Sequence, residues 1–140
     1  MNYNFLTVEG VCDDLMVEAL AEILDIRPDG IDIADEGNQE KRNWDALVLV
    51  NRHAVSGDVA QGWDICAGDE ALVSAPEESQ AMTKLARKLE SVVLYGADPH
   101  PPSDYWAVTP EGRKVRVVLM QSHTPPDQFT ITRSETSLAV

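Results

Sequence analysis

This 140-residue chain has only two cysteines, three histidines and 11 Lys/Arg residues. Cys12 and Cys66 form no CxxC pair, so we expect two reduced, mostly buried thiols rather than a redox or metal motif. No apolar run approaches the ~20 residues that span a bilayer. The first five residues lack the basic and apolar regions of a signal peptide. We therefore expect a cytoplasmic protein with no membrane partner.

The sequence also lacks the signatures of catalytic and cofactor sites. No GxSxG, SxxK, GxxxxGK[ST] or GxGxxG pattern is present. His53, His100 and His123 are far apart, without HxxxH or HExxH spacing, so the sequence predicts no zinc site. The acidic loop that follows the first predicted helix has oxygen ligands but not the spacing of an EF-hand. We predict a non-enzymatic protein with no cofactor and no metal.

What the chain has in excess is negative charge, and this charge is concentrated in its first half. Residues 1–70 hold 16 Asp/Glu and four Lys/Arg, a net charge of −12, whereas residues 71–140 account for only −1 of the total of −13. Solubility alone would spread the charge, so the asymmetry favours an acidic surface that binds a basic protein. The same charge should repel nucleic-acid phosphates directly.

Length and composition predict one domain, residues 1–140, because 44% hydrophobic content is enough for a sizeable core. It divides into an acidic half (1–70), a near-neutral half (71–132) and a frayed tail (133–140). The predicted class is α+β, with a mostly antiparallel sheet and two helices on one face. A faint repeat, LAEIL at 20–24 and LARKL at 85–89, suggests an internal duplication. The first half is predicted to contain a strand at 3–8, a helix capped by Asp13 or Asp14 and ended by Arg27-Pro28, and a polar connection with a brief edge strand at 31–33. Strands at 44–50 and 59–66 follow, the second with a bulge at Gly62. The second half is predicted to contain a helix capped by Ser74 and Glu77, a strand at 91–95, a hairpin at 104–109 and 114–120, and a last strand at 128–132.

The predicted partner surface begins on the first helix. Four carboxylates, spaced by 4, 4 and 3 residues, lie on one line of its outer face, and no Lys or Arg is interleaved. Like charges at this spacing destabilise a helix by a few tenths of a kcal/mol per pair. The ordinary explanation is a solvated face, and the functional one is a ridge kept acidic for a partner. We call this set the acidic ridge: Asp14, Glu18, Glu22 and Asp25.

Further candidate partner-binding residues follow the ridge. The long polar connection contributes Asp29, Asp32, Asp35 and Glu36, and a long loop in a small domain is commonly functional. All three tryptophans lie on predicted strands, where most would pack in the core. An exposed Trp63 beside Asp64 would instead anchor an interface. We therefore include both residues in the predicted partner-binding set.

The second half resembles a known class of proteins. Residues 85–94, LARKLESVVL, and residues 105–112, YWAVTPEG, form a helix, a short strand and a Trp-containing strand that turns through Pro-acidic-Gly. Over roughly residues 80–120 this resembles small acidic immunity proteins of bacterial toxin–immunity systems. The resemblance implies a stoichiometric, non-catalytic inhibitor of a basic toxin, and it assigns no individual residues.

Three other functions remain open on the sequence. A DNA-mimicking inhibitor would use the same acidic charge against a nucleic-acid enzyme. A small enzyme would place carboxylates in a cleft. An assembly subunit of a phage or secretion system would use the chain structurally.

Overall fold

The computed structural model describes residues 2–35, 39–40, 42–68, 76–97, 104–122 and 127–134. Within these residues the chain forms two α-helices, a short 3-10 turn at Pro28–Gly30 and nine strands in one mixed, mostly antiparallel sheet. The predicted α+β class is therefore confirmed. The elements are β1 (Asn2–Thr7), α1 (Asp13–Leu24), β2 (Ile31–Asp35), β3 (Val48–Ala54), β4 (Ser56–Gly57), β5 (Gln61–Ala67), α2 (Glu78–Leu89), β6 (Val93–Gly96), β7 (Asp104–Val108), β8 (Lys114–Ser122) and β9 (Gln128–Ser134).

The sheet has the order β2-β3-β5-β1-β6-β7-β8-β9-β4. Among the described strands, only β2–β3 and β4–β9 pair in parallel. Strand β4 lies in the short connection from β3 to β5, yet it pairs with β9 at the far end of the order. The sheet must therefore curl until this connection reaches β9. Its concave face carries a small apolar cluster that includes Leu6, Leu94, Val117 and Phe129.

The larger core cluster joins the buried sides of both helices to alternate residues of the central strands. Met16 and Leu20 of α1 and Met82 and Leu85 of α2 are fully buried in it. These residues recur at helical spacing, which explains why both helices were predictable from periodicity. The placement of both helices on one face and the internal duplication stay predictions.

The segment before β3 differs from its prediction. The chain turns at residues 43–46, where the Asn43 side chain accepts a hydrogen bond from the Asp45 N–H. This local bond holds the chain in an Asx-type turn. Strand β3 therefore begins at Val48 rather than Trp44, and the Trp44 side chain is exposed. Its predicted place on a strand is wrong.

Both predicted helix caps are also wrong where the structure describes them. The N-cap of α1 is Cys12, without a side-chain hydrogen bond, and Asp13 and Asp14 lie in the first turn. Helix α2 has Glu77 at its N-cap, whereas the predicted capping box would place Glu77 three residues inside the helix. Ser74 lies outside the described residues.

Three smaller predictions are corrected in the same way. The pairing of β5 with β1 and β3 runs without a shift through Gly62, and the irregularity lies instead between Val118 and Leu119. Strand β9 continues to Ser134, so 133–134 belong to the sheet, and 135–140 lie outside the described residues. Cys12 and Cys66 are both free and exposed rather than buried.

Candidate partner-binding surface

The acidic ridge lies on the solvent side of α1. The helix turns its apolar residues, such as Met16, Leu20 and Ile23, toward the core, so the carboxylates that alternate with them face outward. All four members are exposed: Asp14, Glu18, Glu22 and Asp25. The exposure predicted from the spacing is therefore confirmed.

Most of the ridge has no counter-ion within the described part of the chain. Glu22 pairs with Lys88 of α2, whereas Asp14, Glu18 and Asp25 lie in no ion pair formed by the described residues. The last turn of α1 also contains no basic residue. A carboxylate such as Asp25 at that end interacts unfavourably with the helix dipole. The ridge therefore carries charge that the described fold does little to offset.

An apolar hollow lies beside the ridge. It has a volume of about 410 Å³ and is lined by Leu15, Ala19 and Ile26 together with Glu18, Glu22 and Lys88. Leu15 and Ile26 are only partly buried. Apolar surface enclosed by charged groups is the usual anatomy of a protein–protein interface.

The other helix carries the opposite charge. Lys84, Arg87 and Lys88 are exposed on α2, and the hairpin of β7 and β8 extends this basic face. Lys114 donates from Nζ to Ser79 Oγ at 3.3 Å and lies 4.4 Å from the centre of the Trp106 ring. Arg116 lies 5.0 Å from the same ring. A cation over an aromatic face is favoured, so these charges are held in place.

The carboxylates of the polar connection are arranged differently from the ridge. Asp32 Oδ2 accepts a 2.9 Å hydrogen bond from Nε of the buried Arg42. Asp35 and Asp13 both pair with Arg52, and the hydrogen bond to Asp13 is the largest factor that raises the pKa of Arg52. Asp29 is exposed and lies 3.5 Å from Arg27. Glu36 lies outside the described residues.

Arg42 is the side chain near the candidate surface whose structural role was not predicted from the sequence. Its guanidinium also donates to Asn51 Oδ1 at 2.7 Å and to the carbonyl oxygen of Val50, and the Trp44 ring lies 5.7 Å away. The available signal was the scarcity of basic residues, because Arg42 is one of only four among the first 70. An arginine in such an acidic stretch is a candidate internal counter-ion.

The predicted role of Trp63 is corrected by its burial. The side chain is 1% exposed, and its Nε1 donates to Thr7 Oγ1 at 3.1 Å. Alternate residues of a strand face opposite sides, so Trp63 points into the core shared with the helices while Asp64 points to the concave face. Asp64 Oδ2 lies 2.7 Å from His53 Nε2. Trp63 therefore cannot anchor a partner at the surface, and Asp64 lies apart from the ridge.

The described ranges hold neither a candidate metal cluster nor a candidate membrane-spanning helix. Within them no three His, Cys, Asp or Glu side chains are arranged to hold a metal ion. His100 and His123 lie outside those ranges. Neither helix is long and apolar enough to cross a bilayer, in the part of the chain that the structure describes.

Comparisons with known proteins identify no relative. No protein-family model, no curated protein and no solved structure matches this chain.

Proposed function

We propose that this chain is a cytoplasmic, non-catalytic binding protein that neutralises a basic protein partner, as an immunity protein inhibits a bacterial toxin. The observation that carries the proposal is the exposed acidic ridge, in which Asp14, Glu18 and Asp25 have no counter-ion among the described residues. The carboxylates of Asp32 and Asp35, by contrast, are already bound by arginines of the same fold. The ridge is where a partner's basic residues find unsatisfied charge.

The energetics of the ridge support a charged partner. Like charges at i and i+4 repel by a few tenths of a kcal/mol per pair in the free protein, and a bound lysine or arginine would relieve that repulsion. Complementary charge raises the association rate most strongly at low salt. The hollow at Leu15 and Ile26 offers the apolar centre that a stable protein interface needs.

The geometry favours a protein partner over mimicry of DNA. From Asp14 to Asp25 the ridge extends about 16 Å along the helix axis. Duplex DNA carries roughly one phosphate per 1.7 Å of its axis, so four carboxylates reproduce only a small part of that charge density. One of the four, Glu22, is also paired within the fold.

The proposal is tested by comparing capture with two variants that change charge equally. In the ridge variant, Asp14→Lys and Glu18→Lys replace two exposed carboxylates without internal ion pairs. In the matched control, Asp45→Lys and Glu111→Lys replace two exposed carboxylates elsewhere. Wild type and both variants are immobilised, incubated with native lysate at low and high salt, and the captured proteins are identified by mass spectrometry.

We expect a basic protein that wild type and control capture and the ridge variant does not, and we expect its release at high salt. That protein should be toxic to cells that express it alone and harmless to cells that co-express the wild-type chain. Equal capture by all three proteins, or a captured partner that is acidic, would contradict the proposal.

A further inference from the structure

A second cavity lies on the concave face of the sheet, away from the ridge. It has a volume of about 540 Å³. Leu6, Val55 and Phe129 supply apolar surface from three separate segments. Gly62 and Gly96 also line it, and a Cβ atom built at Gly96 would meet no atom within 4 Å. The absence of a side chain at Gly96 therefore keeps this space open.

Polar groups surround the cavity and are fixed by one another. Asp64 Oδ2 lies 2.7 Å from His53 Nε2. The Asn4 amide, turned so that its nitrogen faces acceptors, donates to Asp64 Oδ1 at 2.9 Å. Gln121 Nε2 donates to Asp127 Oδ2 at 3.2 Å. These bonds hold two carboxylates in defined positions, and a site with preset polar groups binds at a lower entropic cost.

Apart from His53, which contacts Asp64, the charged groups among the described lining residues are acidic. Asp64, Glu78 and Asp127 are among the described lining residues, and no Lys or Arg is. Tyr105 is also part of the lining, and burial raises the pKa of its phenol, which therefore stays neutral and able to donate a hydrogen bond. Carboxylates beside apolar walls attract cations and repel anions more strongly than they would in open water.

We infer that this cavity binds a small organic cation, an amine with a flat apolar body. The apolar body would occupy the space above Gly96 and Gly62, against Leu6 and Phe129. The ammonium group would lie between Asp64 and Asp127. The size fits, because ligand pockets commonly measure about 300–1,000 Å³. This site is independent of the acidic ridge and of the proposed toxin partner.

The test uses three probes of similar shape and different charge: benzylamine, benzyl alcohol and phenylacetate. Each is titrated into ¹⁵N-labelled full-length protein, and amide shifts are followed by NMR. For a ligand of this size we expect benzylamine to bind with a Kd of about 1–10 mM and to shift the amides of Gly62, Asp64 and Gly96. Benzyl alcohol should bind about tenfold more weakly, and phenylacetate should leave these amides unshifted.

Three variants test the site, two for its location and one for its charge. Gly96→Val fills the open space, and valine suits a strand whose glycine does not have a positive φ, so the variant should fold and lose benzylamine binding. Gly10→Val makes the same change at an exposed site outside the cavity and should bind as wild type does. Asp64→Asn should weaken benzylamine about tenfold and leave benzyl alcohol unchanged.

Four results would overturn the inference. They are equal shifts of the cavity amides by phenylacetate, no shift with benzylamine at about 20 mM, full binding by a folded Gly96→Val protein, and no change with Asp64→Asn. If Gly96→Val fails to fold, the Asp64→Asn result decides alone.

Discussion

The acidic half contains two groups of carboxylates whose environments are opposite. Asp13, Asp32 and Asp35 are bound by Arg42 or Arg52 within the fold. The ridge on α1 faces solvent, and three of its four members pair with no described cation. Each carboxylate of either group adds one negative charge to the total, yet most of the first group's charge is already offset by arginines of the same fold. A count of charges therefore does not distinguish the two groups, and the distribution of internal counter-ions does.

Burial of Arg42 explains its pairing with Asp32 in the first group. The Arg42 side chain is 2% exposed, and a buried guanidinium is tolerated only when its charge and its N–H groups are satisfied. Asp32 supplies the charge, while Asn51 and the Val50 carbonyl accept the remaining hydrogen bonds. These contacts join the segment at residue 42 to the parallel pair of β2 and β3. Among the described residues the ridge has only the pair of Glu22 with Lys88, and its four members are exposed to solvent.

The largest effect on stability should come from breaking the pair of Asp32 with Arg42. Arg42→Met leaves Asp32 half-buried without its cation, and loss of one partner of a buried pair typically destabilises a protein by about 3–5 kcal/mol. Arg27→Met is the matched control, because Arg27 is 87% exposed and its pair with Asp29 is screened by water. We expect the control to lower the free energy of unfolding by less than about 1 kcal/mol.

Urea denaturation followed by tryptophan fluorescence measures both variants. The buried Trp63 reports on the core. If Arg42→Met and Arg27→Met unfolded at the same urea concentration, the pair of Asp32 with Arg42 would contribute no more to stability than a surface pair. The contrast between the two groups of carboxylates would then fail.

A second, smaller effect separates the groups on the acidic side. Asp32→Asn keeps the shape but leaves Arg42 uncompensated, and losing a hydrogen bond to a charged group typically lowers stability by about 1.5–3 kcal/mol. Glu18→Gln removes one charge from the ridge and should change stability by less than about 0.5 kcal/mol, toward a more stable protein. Their midpoints in urea, at equal m-values, measure the difference. A loss above 1 kcal/mol for Glu18→Gln would give the ridge a structural role and weaken the proposed interface.

The parts of the fold that were predictable share a local cause. Helices α1 and α2 and the hairpin of β7 and β8 follow from apolar spacing and a turn with glycine at Gly112, whose φ of +91° favours that residue. Trp44 was misplaced because the Asn43 side chain diverts the chain into a turn. The burial of Trp63 was visible in the alternation of β5, where Trp63, Ile65 and Ala67 are buried and the residues between them, Asp64 and Cys66, are not.

Of the candidate partner-binding surface, only the acidic ridge was predictable from the sequence. The spacing of the ridge is a property of one helix, so the sequence was sufficient to place it. The counter-ions of Asp32 and Asp35 come from residues 10 and 17 positions further along the chain, and such pairing depends on how β2 and β3 lie side by side. The cavity on the concave face depends on the curl of the whole sheet, and no single stretch of the sequence predicts that curl.

The smallest expected effect on stability concerns the C-terminal ends of the two helices. Both helices close on an acidic residue in the left-handed region, Asp25 with φ 54° and Glu90 with φ 52°, and each donates its N–H to an alanine carbonyl, of Ala21 or Ala86. Glycine relieves the strain of that conformation, and part of the gain is lost to the greater freedom of the unfolded chain. We expect Glu90→Gly to stabilise the protein by about 0.5 kcal/mol.

Asp25→Gly should stabilise it more, by about 1 kcal/mol, because it also removes a carboxylate from a helix end without basic residues, whereas α2 has Arg87 and Lys88 in its last turn. Urea midpoints at constant m-value give both numbers. If Asp25 belongs to the partner surface, Asp25→Gly should also weaken partner binding while Glu90→Gly does not. A protein that gains stability and loses binding at one residue is what a carboxylate retained for a partner predicts, whereas a loss of stability at Asp25 would place its charge in the structural group with Asp32.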